Sequence, residues 1–395
     1  MRILFLQNSF EGDGPGQFIA GLLSRLNSSG RFTFKVVSLS RGGELEEHYR
    51  KIGIETSILE MPRRGLRKTY RAIGDELANW HPDLVHTHLL RADLFGRLVL
   101  WLNGTVPFVS TEHGLHTLFH KGRLAQPFLR QAYLFTARRA LKIVAISDAV
   151  RHALLLQGLL ENKVARIYNG TDLERFAPPD PVEREKTRRQ GGVGPKDFLI
   201  GFAGRLETIK GLRYLFEAFE LLFPRHPHLK VWIMGRGSLE GELRRRAQGL
   251  GGRDRFRFFS LPGSAMPRAL GALDLLAMPS LIEGFGMAAV EAMSCGVPVV
   301  ASNVGGLAEI IEEGHTGLLF PRRSVSEMVS AIGQIVSHPE SAREMGQAAR
   351  RRAEDFFSID RAAEEYSEFY ESLGIRVHHV RREWTTELGT ITVDF

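Results

Sequence analysis

A single cysteine, Cys295, stands in a chain of 395 residues. No disulfide can close within the chain and no cysteine-based zinc site can form, which fits a reducing compartment. Long apolar runs are missing too. No uncharged stretch reaches the roughly 18 residues that mark a membrane span, and Arg97 interrupts the best candidate, LFGRLVLWL. The N-terminus, MRILFLQNSFEGDG, has one basic residue and a short apolar run, so it reads as a first strand and not as a signal peptide. Several short motifs are also absent. There is no D-x-D to seat a divalent ion beside a diphosphate, no H-E-x-x-H, no G-x-S-x-G and no Walker loop. A leaving diphosphate would have to be met by arginine, lysine and helix N-termini.

What is present is an ordinary globular composition, 43% apolar and 25% charged, with a net charge of +7. That charge permits an anionic partner without choosing one. Short apolar runs alternate with helical patterns almost throughout. Strands are expected at Ile3–Leu6, Phe34–Leu39, Asp83–His86, Phe108–Val109, Ile143–Ile146 and Val164–Ile167. The stretch ERFAPPDPVEREKTRRQGGVGPKD, rich in Pro, Gly and charge, then marks a boundary. The pattern restarts with FLIGFAGRL, followed by strands at Lys230–Met234, Leu275–Met278, Val297–Ala301 and Gly317–Phe320. The expected architecture is α/β: two Rossmann-like doubly wound domains, residues 1–173 and 174–358, facing an interdomain cleft. A last helix, 359–373, fits either domain by its pattern, and the tail 374–395 shows no period.

Three stretches could carry chemistry. In EGFGMAAVE (283–291), Gly284 and Gly286 permit a tight turn, and an apolar helix follows that ends before Gly296 and Pro298. Glu291 sits inside that helix and needs a partner, either ligand hydroxyls or a structural ion pair. Eight helical residues span about 12 Å, too far for the two carboxylates of a glycosidase but suited to holding two parts of one ligand. In GRLETIKG (204–211), Arg205 and Lys210 follow a strand and precede a helix; they could neutralise a diphosphate or be solvated loop charges. His113, in TEHG, ends the Phe108 strand, where a lone histidine is more often structural than catalytic. The glycine turn GDGPG after the first strand, with Gly14 and Gly16, lacks the full dinucleotide spacing.

Together these segments resemble one family. GRLETIKG (204–211), PSLIEGFGMAAVEAMSCGVPVVASNVGGLAEII (279–311), DLVHTHLLRADLFGRL (83–98), TEHG (111–114) and IVAISDAVRHALLLQGLLENKVARIYNGTDLERF (143–176) are similar to retaining, metal-independent glycosyltransferases of family 4, with the GT-B architecture. The resemblance spans about residues 1–372 and implies a role for each matching residue. Glu283 holds the donor sugar and Glu291 the ribose hydroxyls. The backbone of Phe285, Gly286, Met287 and Ala288 meets sugar and phosphate oxygens. Arg205 and Lys210 bind the diphosphate, His113 stands beside the transferring sugar, and Gly14 and Gly16 approach the diphosphate and acceptor. The helix 359–373 would cross back to the first domain. Two departures stand out: GPGQ in the first loop, and Arg236 where an acidic residue is common.

The implied reaction moves a hexose from a UDP- or GDP-linked donor to a hydroxyl of a saccharide or lipid-linked acceptor, with retained configuration and no cofactor or metal. A small soluble acceptor and a nucleotide-sugar epimerase are the alternatives. Nucleic acid is not an expected partner, because no basic motif is interleaved with aromatics in the manner of a nucleic-acid binder. From His113 to Ser147 there is no acidic residue, while Lys121, Arg123, Arg130, Arg138, Arg139 and Lys142 alternate with Phe119, Leu124, Phe128, Leu129, Tyr133, Leu134 and Phe135. Arg63, Arg64, Arg67, Lys68 and Arg71 form a second basic cluster. Such a surface suits an anionic membrane or a solvated face. With the resemblance, it implies a cytoplasmic enzyme that associates peripherally with the membrane and serves polysaccharide or glycolipid synthesis.

Overall fold

The computed structural model describes residues 1–12, 14–61, 66–114, 126–375, 381–386 and 389–394. The first sheet holds β1 (Arg2–Gln7), β2 (Thr33–Ser38), β3 (Glu55–Ile58), β4 (Leu84–His88), β5 (Phe108–Glu112), β6 (Ile143–Ala145) and β7 (Val164–Arg166). Its seven strands run parallel in the order β3-β2-β1-β4-β5-β6-β7. The second sheet holds β8 (Phe198–Ala203), β9 (Leu229–Met234), β10 (Phe256–Phe259), β11 (Leu275–Met278), β12 (Val299–Ser302) and β13 (Gly317–Phe320). Its six strands are also parallel, in the order β10-β9-β8-β11-β12-β13. Strands β1, β8 and β11 are largely continuous apolar runs because helices cover both faces.

Each sheet reverses its direction of growth once, between β1 and β4 and between β8 and β11. Ligands of open α/β sheets bind at the carboxyl ends of the strands flanking such a reversal. The candidate residues follow these strands or the one beside them: Gly14 and Gly16 after β1, His113 after β5, Arg205 after β8 and Glu283 after β11.

The domains are joined twice. The helix Pro181–Gln190 is tied to the second sheet through Arg184 and Arg188, which bind the Asp274 carboxylate at 2.6 and 2.8 Å. After the helix Pro339–Phe356 the chain returns. Thr171 N donates to Phe357 O and Ile359 N to Thr171 O, both at 2.8 Å. The helix Ile359–Ser372 then packs Ile359, Tyr366, Phe369 and Tyr370 into the core that holds Phe18, Phe32 and Phe34 of the first domain.

Two strands are not legible in the sequence. β3 reads ETSI and β10 reads FRFF; both are edge strands, part-exposed, so neither has to be a pure apolar run. Two others run longer than their apolar residues suggest. β4 continues through Thr87 and His88, and β5 through Ser110, Thr111 and Glu112, all buried. The tail forms an antiparallel hairpin, β14 (Arg381–Thr386) and β15 (Gly389–Asp394). No helix among the described residues is long and apolar enough to cross a membrane.

Candidate active site

The second domain supplies an acid–base pair. Lys210 ends the short turn Thr208–Lys210 after β8, and Glu283 lies in the turn after β11. Lys210 Nζ is 2.6 Å from Glu283 Oε2, and Ser280 Oγ donates to the same oxygen at 3.0 Å. Arg205, also after β8, is exposed and forms no ion pair among the described residues. Its charge acts on Glu207, whose carboxylate accepts from Ser238 N at 2.9 Å and Ser238 Oγ at 2.7 Å and so pins the loop that carries Arg236.

The turn itself is shaped by two glycines. Gly286 caps the helix Met287–Ser294 at φ 120°, where an L side chain would be strained. Gly284 faces the first domain: a Cβ there would lie 3.0 Å from the His113 carbonyl oxygen and 3.0 Å from Gly114 Cα. Only glycine lets the two loops approach this closely. Phe285 turns inward and is 2% exposed, packing on Tyr168 and Phe357.

The helix Met287–Ser294 buries Ala289, Val290, Ala292, Met293 and Ser294. Met287, Ala288 and Glu291 stay partly exposed, as a stripe at helical spacing. The Glu291 side chain forms no ion pair among the described residues, so the structural ion pair open to it in the sequence is not formed. Burial pushes its carboxyl up to about 7, tempered by the charge of Arg175, whose guanidinium donates to Gly263 O at 2.5 Å.

The first domain supplies a histidine pair, of which the sequence singles out only His113. His113 Nε2 and His88 Nδ1 are 3.0 Å apart, and the outer nitrogens, His113 Nδ1 and His88 Nε2, are buried without a partner among the described residues. Burial holds both rings well into the neutral range, His113 at about 4. One proton is therefore shared between the facing nitrogens. If His88 donates it, the unpaired N–H falls on His113; if His113 donates, it falls on His88. The first arrangement leaves His113 Nδ1–H as a donor, on the ring that is partly exposed. His86 lies behind His88, ring centroids 4.1 Å apart, bonded to Tyr370 Oη at 2.7 Å and Thr111 Oγ1 at 2.8 Å.

Beneath His113 lies a buried polar network. Glu112 accepts from Tyr133 Oη and from Gly114 N, fixing the loop on both sides of His113. Arg97 binds Asp93 at 3.1 Å and Ser110 Oγ at 2.6 Å, with Thr87 Oγ1 donating to Asp93 at 2.7 Å. Burial and the neighbouring Asp93 push the Glu112 carboxyl up to about 7. The signal for these residues was the H-T-H run at the end of β4 and the polar T-E at the end of β5: polar residues inside central strands must be satisfied by one another. Gly14 opens the helix Gly14–Ser28 and is exposed, and Gly16 is buried in its first turn.

Two facing parallel domains, a lysine–glutamate pair on one wall and a histidine loop on the other, make a GT-B fold with its cleft residues gathered between the domains. Comparison with known proteins agrees. The family described as Glycosyl transferases group 1 matches residues 183–352, and Glycosyltransferase Family 4 matches residues 12–175. A relative named D-inositol 3-phosphate glycosyltransferase, from Corynebacterium jeikeium, is 32% identical over 321 residues, covering 76% of this chain and 75% of its own length. One of the same name from Rhodococcus opacus is 32% identical over 294 residues, covering 69% of this chain and 64% of its own. Among solved structures, Anabaena HepE in complex with UDP-glucose superposes with a TM-score of 0.82 at 24% identity, covering 94% of this chain and 100% of that one. The sucrose-phosphate synthase of Thermosynechococcus elongatus gives 0.79 at 22% identity, covering 94% and 98%. The chain belongs to the group 1, family 4 glycosyltransferases, and it is a glycosyltransferase.

Proposed function

We propose that the protein transfers a hexose from a nucleoside-diphosphate sugar to a hydroxyl acceptor with retention of configuration and without a metal. The observation that carries this reading is the meeting of the two walls. The Glu283–Gly286 turn, bearing the Lys210–Glu283 pair, touches the His113–Gly114 loop of the other domain. Glu283 and the N–H groups that open the helix Met287–Ser294 hold the sugar and its phosphate. Lys210 and Arg205 stabilise charge growing on the leaving diphosphate. Glu291, whose side chain is unpaired among the described residues, takes the ribose hydroxyls. His113 Nδ1–H donates to a sugar hydroxyl. The acceptor enters from the Gly14–Gly16 side and attacks the face that the diphosphate leaves, whose oxygen receives the acceptor proton.

UDP-glucose is the first donor to test, since it is bound in HepE, and GDP-hexoses come next. The relatives' names make a polyol phosphate a soluble acceptor worth testing beside saccharides and lipid-linked sugars. Turnover of a nucleotide-sugar panel, with the product's anomeric configuration read by NMR, tests the reading. An inverted product refutes the same-face chemistry, and sugar interconversion without transfer refutes the transferase assignment.

A second observation supports a lipid-linked acceptor at the cytoplasmic membrane face. The helices Leu66–Trp80, Arg97–Asn103 and Gln126–Ala137 pack side by side. Arg67, Lys68, Tyr70, Arg71, Leu102, Arg130 and Phe135 are exposed on these helices, and Arg138, Arg139 and Leu141 are exposed just beyond the last of them. The Arg139 guanidinium lies over Trp101 at 4.8 Å and Phe135 at 5.4 Å. Tyr133 and Leu134 instead face the core. Arg63, Arg64, Phe119, Lys121, Arg123 and Leu124 lie outside the described residues, as do the side chains of Phe128 and Leu129. Binding to anionic vesicles that weakens with salt and with neutral replacements at Arg130, Arg138 and Arg139 supports this reading. No binding at low salt makes the soluble acceptor the better one.

A further inference from the structure

The two domains also meet at a contact that the transfer chemistry does not use. Ser147 caps the helix Asp148–Leu156 of the first domain: its hydroxyl accepts from Val150 N at 3.1 Å and donates to Gly284 O, in the second domain, at 2.6 Å. Glu309 of the second domain reaches the same helix end. Its two carboxylate oxygens accept from Asp148 N at 2.8 Å and Ala149 N at 2.7 Å. The opening N–H groups of a helix have no partner within it. Here Val150 N and Arg151 N are met by Ser147, and the two before them by a carboxylate of the other domain. The charge also suits the positive end of the helix.

Glu309 is itself fixed to the donor wall. Its helix, Leu307–Ile310, is held by Arg352, which donates to Glu309 O at 2.8 Å and Ile310 O at 2.7 Å. Gly306 N, at the head of that helix, donates to Glu283 O at 3.3 Å. Ser147 therefore holds the Glu283–Gly286 turn directly, and Glu309, whose helix is tied to the turn through Gly306, holds the same helix end; both bonds exist only while the domains are together.

We propose that Ser147 and Glu309 form an interdomain latch that holds the Glu283–Gly286 turn in register with the His113–Gly114 loop. They are positioning residues: they touch neither donor nor acceptor and act through the turn. The inference rests on the reading that this turn carries the donor sugar. Ser147→Ala also removes a helix cap, which costs the first domain about 1 kcal/mol, whereas truncating the Glu309 carboxylate breaks only its bonds to the other domain and so shifts the balance between closed and open arrangements.

The test uses the full chain with Ser147→Ala, Ser147→Thr, Glu309→Ala and Glu309→Gln. Small-angle scattering of each protein alone should show a larger radius of gyration for Ser147→Ala and Glu309→Ala, and the wild-type value for Ser147→Thr, which keeps the hydroxyl. With UDP-glucose as the donor probe, kcat should fall about tenfold or more in Glu309→Ala, the loss of charge-assisted hydrogen bonds. UDP affinity by calorimetry should stay within about twofold, because Glu291, Lys210 and Arg205 lie within one domain. The double alanine variant should lose less than the product of the single losses, since one broken latch leaves little for the second change to remove. Scattering curves that superpose on the wild type overturn the proposal, as does a fall in UDP affinity equal to the fall in kcat. Should an alanine variant fail to fold, Glu309→Gln, which keeps the size and one acceptor, carries the same readouts. If the wild type turns over no nucleotide sugar, the donor reading fails, and the scattering still decides the latch.

Discussion

Lys210 Nζ lies 2.6 Å from Glu283 Oε2, with the two side chains only 16% and 13% exposed. Each residue keeps the other's charge tolerable in the cleft wall. Removing Lys210 leaves a mostly buried carboxylate whose remaining hydrogen bond is from Ser280. We expect Lys210→Ala to lower stability by roughly 2 kcal/mol, the range for a broken, partly buried pair. Adding Glu283→Gln should recover part of that loss while activity stays low. Urea unfolding of the single and double variants checks this; strictly additive losses would falsify the coupling.

Arg205 is exposed and unpaired among the described residues, so its removal should spare the fold. Arg205→Ala is expected to lower kcat by about 10–150-fold through one lost charge-assisted bond to the leaving diphosphate, with an unchanged melting temperature. Activity is expected to persist in EDTA. Loss in EDTA that magnesium or manganese restores would overturn the metal-free reading.

Glu291 titrates at about 7 because burial disfavours its charged form. On the proposed reading, in which ribose hydroxyls donate to this carboxylate, donor binding should release its proton and strengthen as pH rises towards 7 and beyond. Glu291→Gln should weaken UDP and UDP-glucose alike and remove this pH dependence, whereas Glu283→Gln should weaken only the sugar-bearing ligand. Calorimetry from pH 6 to 8 with both ligands separates the two roles, and equal losses for both ligands in both variants contradict the division.

The histidine pair sets an acid limit. His113 has its pKa lowered by burial to about 4, from an ordinary 6.5, and His88 is lowered in the same direction. Between those values the unfolded chain binds more protons than the native protein, so stability is full above about 6.5 and falls as pH drops towards 4. The carboxyls of buried Glu112 and of Glu291, raised to about 7, act oppositely and make stability fall as pH rises from about 4.5 to 7. We expect His88→Asn to flatten the acid limb seen in urea unfolding, and to lower kcat more than it raises KM, because His113 loses the partner that fixes its proton. An unchanged acid limb in that variant counts against buried neutral rings.

Much of the site was legible because its chemistry is local. The Glu283–Glu291 spacing, the turn glycines Gly284 and Gly286, and the basic Arg205 and Lys210 after a strand all follow from short-range pattern. The histidine pair was half legible. His113 stood out at the end of a strand, but His86 and His88 looked like the polar end of an apolar run, since nothing local says that β4 and β5 lie adjacent. Edge strands β3 and β10 escaped for a related reason: at a sheet's margin a strand need not be apolar.

By itself the sequence determined the alternation of strands and helices and where carboxylates, basic residues and turn glycines fall along it. These depend on periodicity and residue type within a dozen positions. Which charges would be paired was decided only by the tertiary structure. Glu283 met Lys210 and Glu291 met no cation, though either outcome was open in the chain. The fold likewise brought Gly284 against His113, and Glu309 against a helix end some 160 residues away in sequence. Such contacts arise from the docking of two separately wound sheets, and their geometry depends on every crossover between the partners, so no local pattern can encode them.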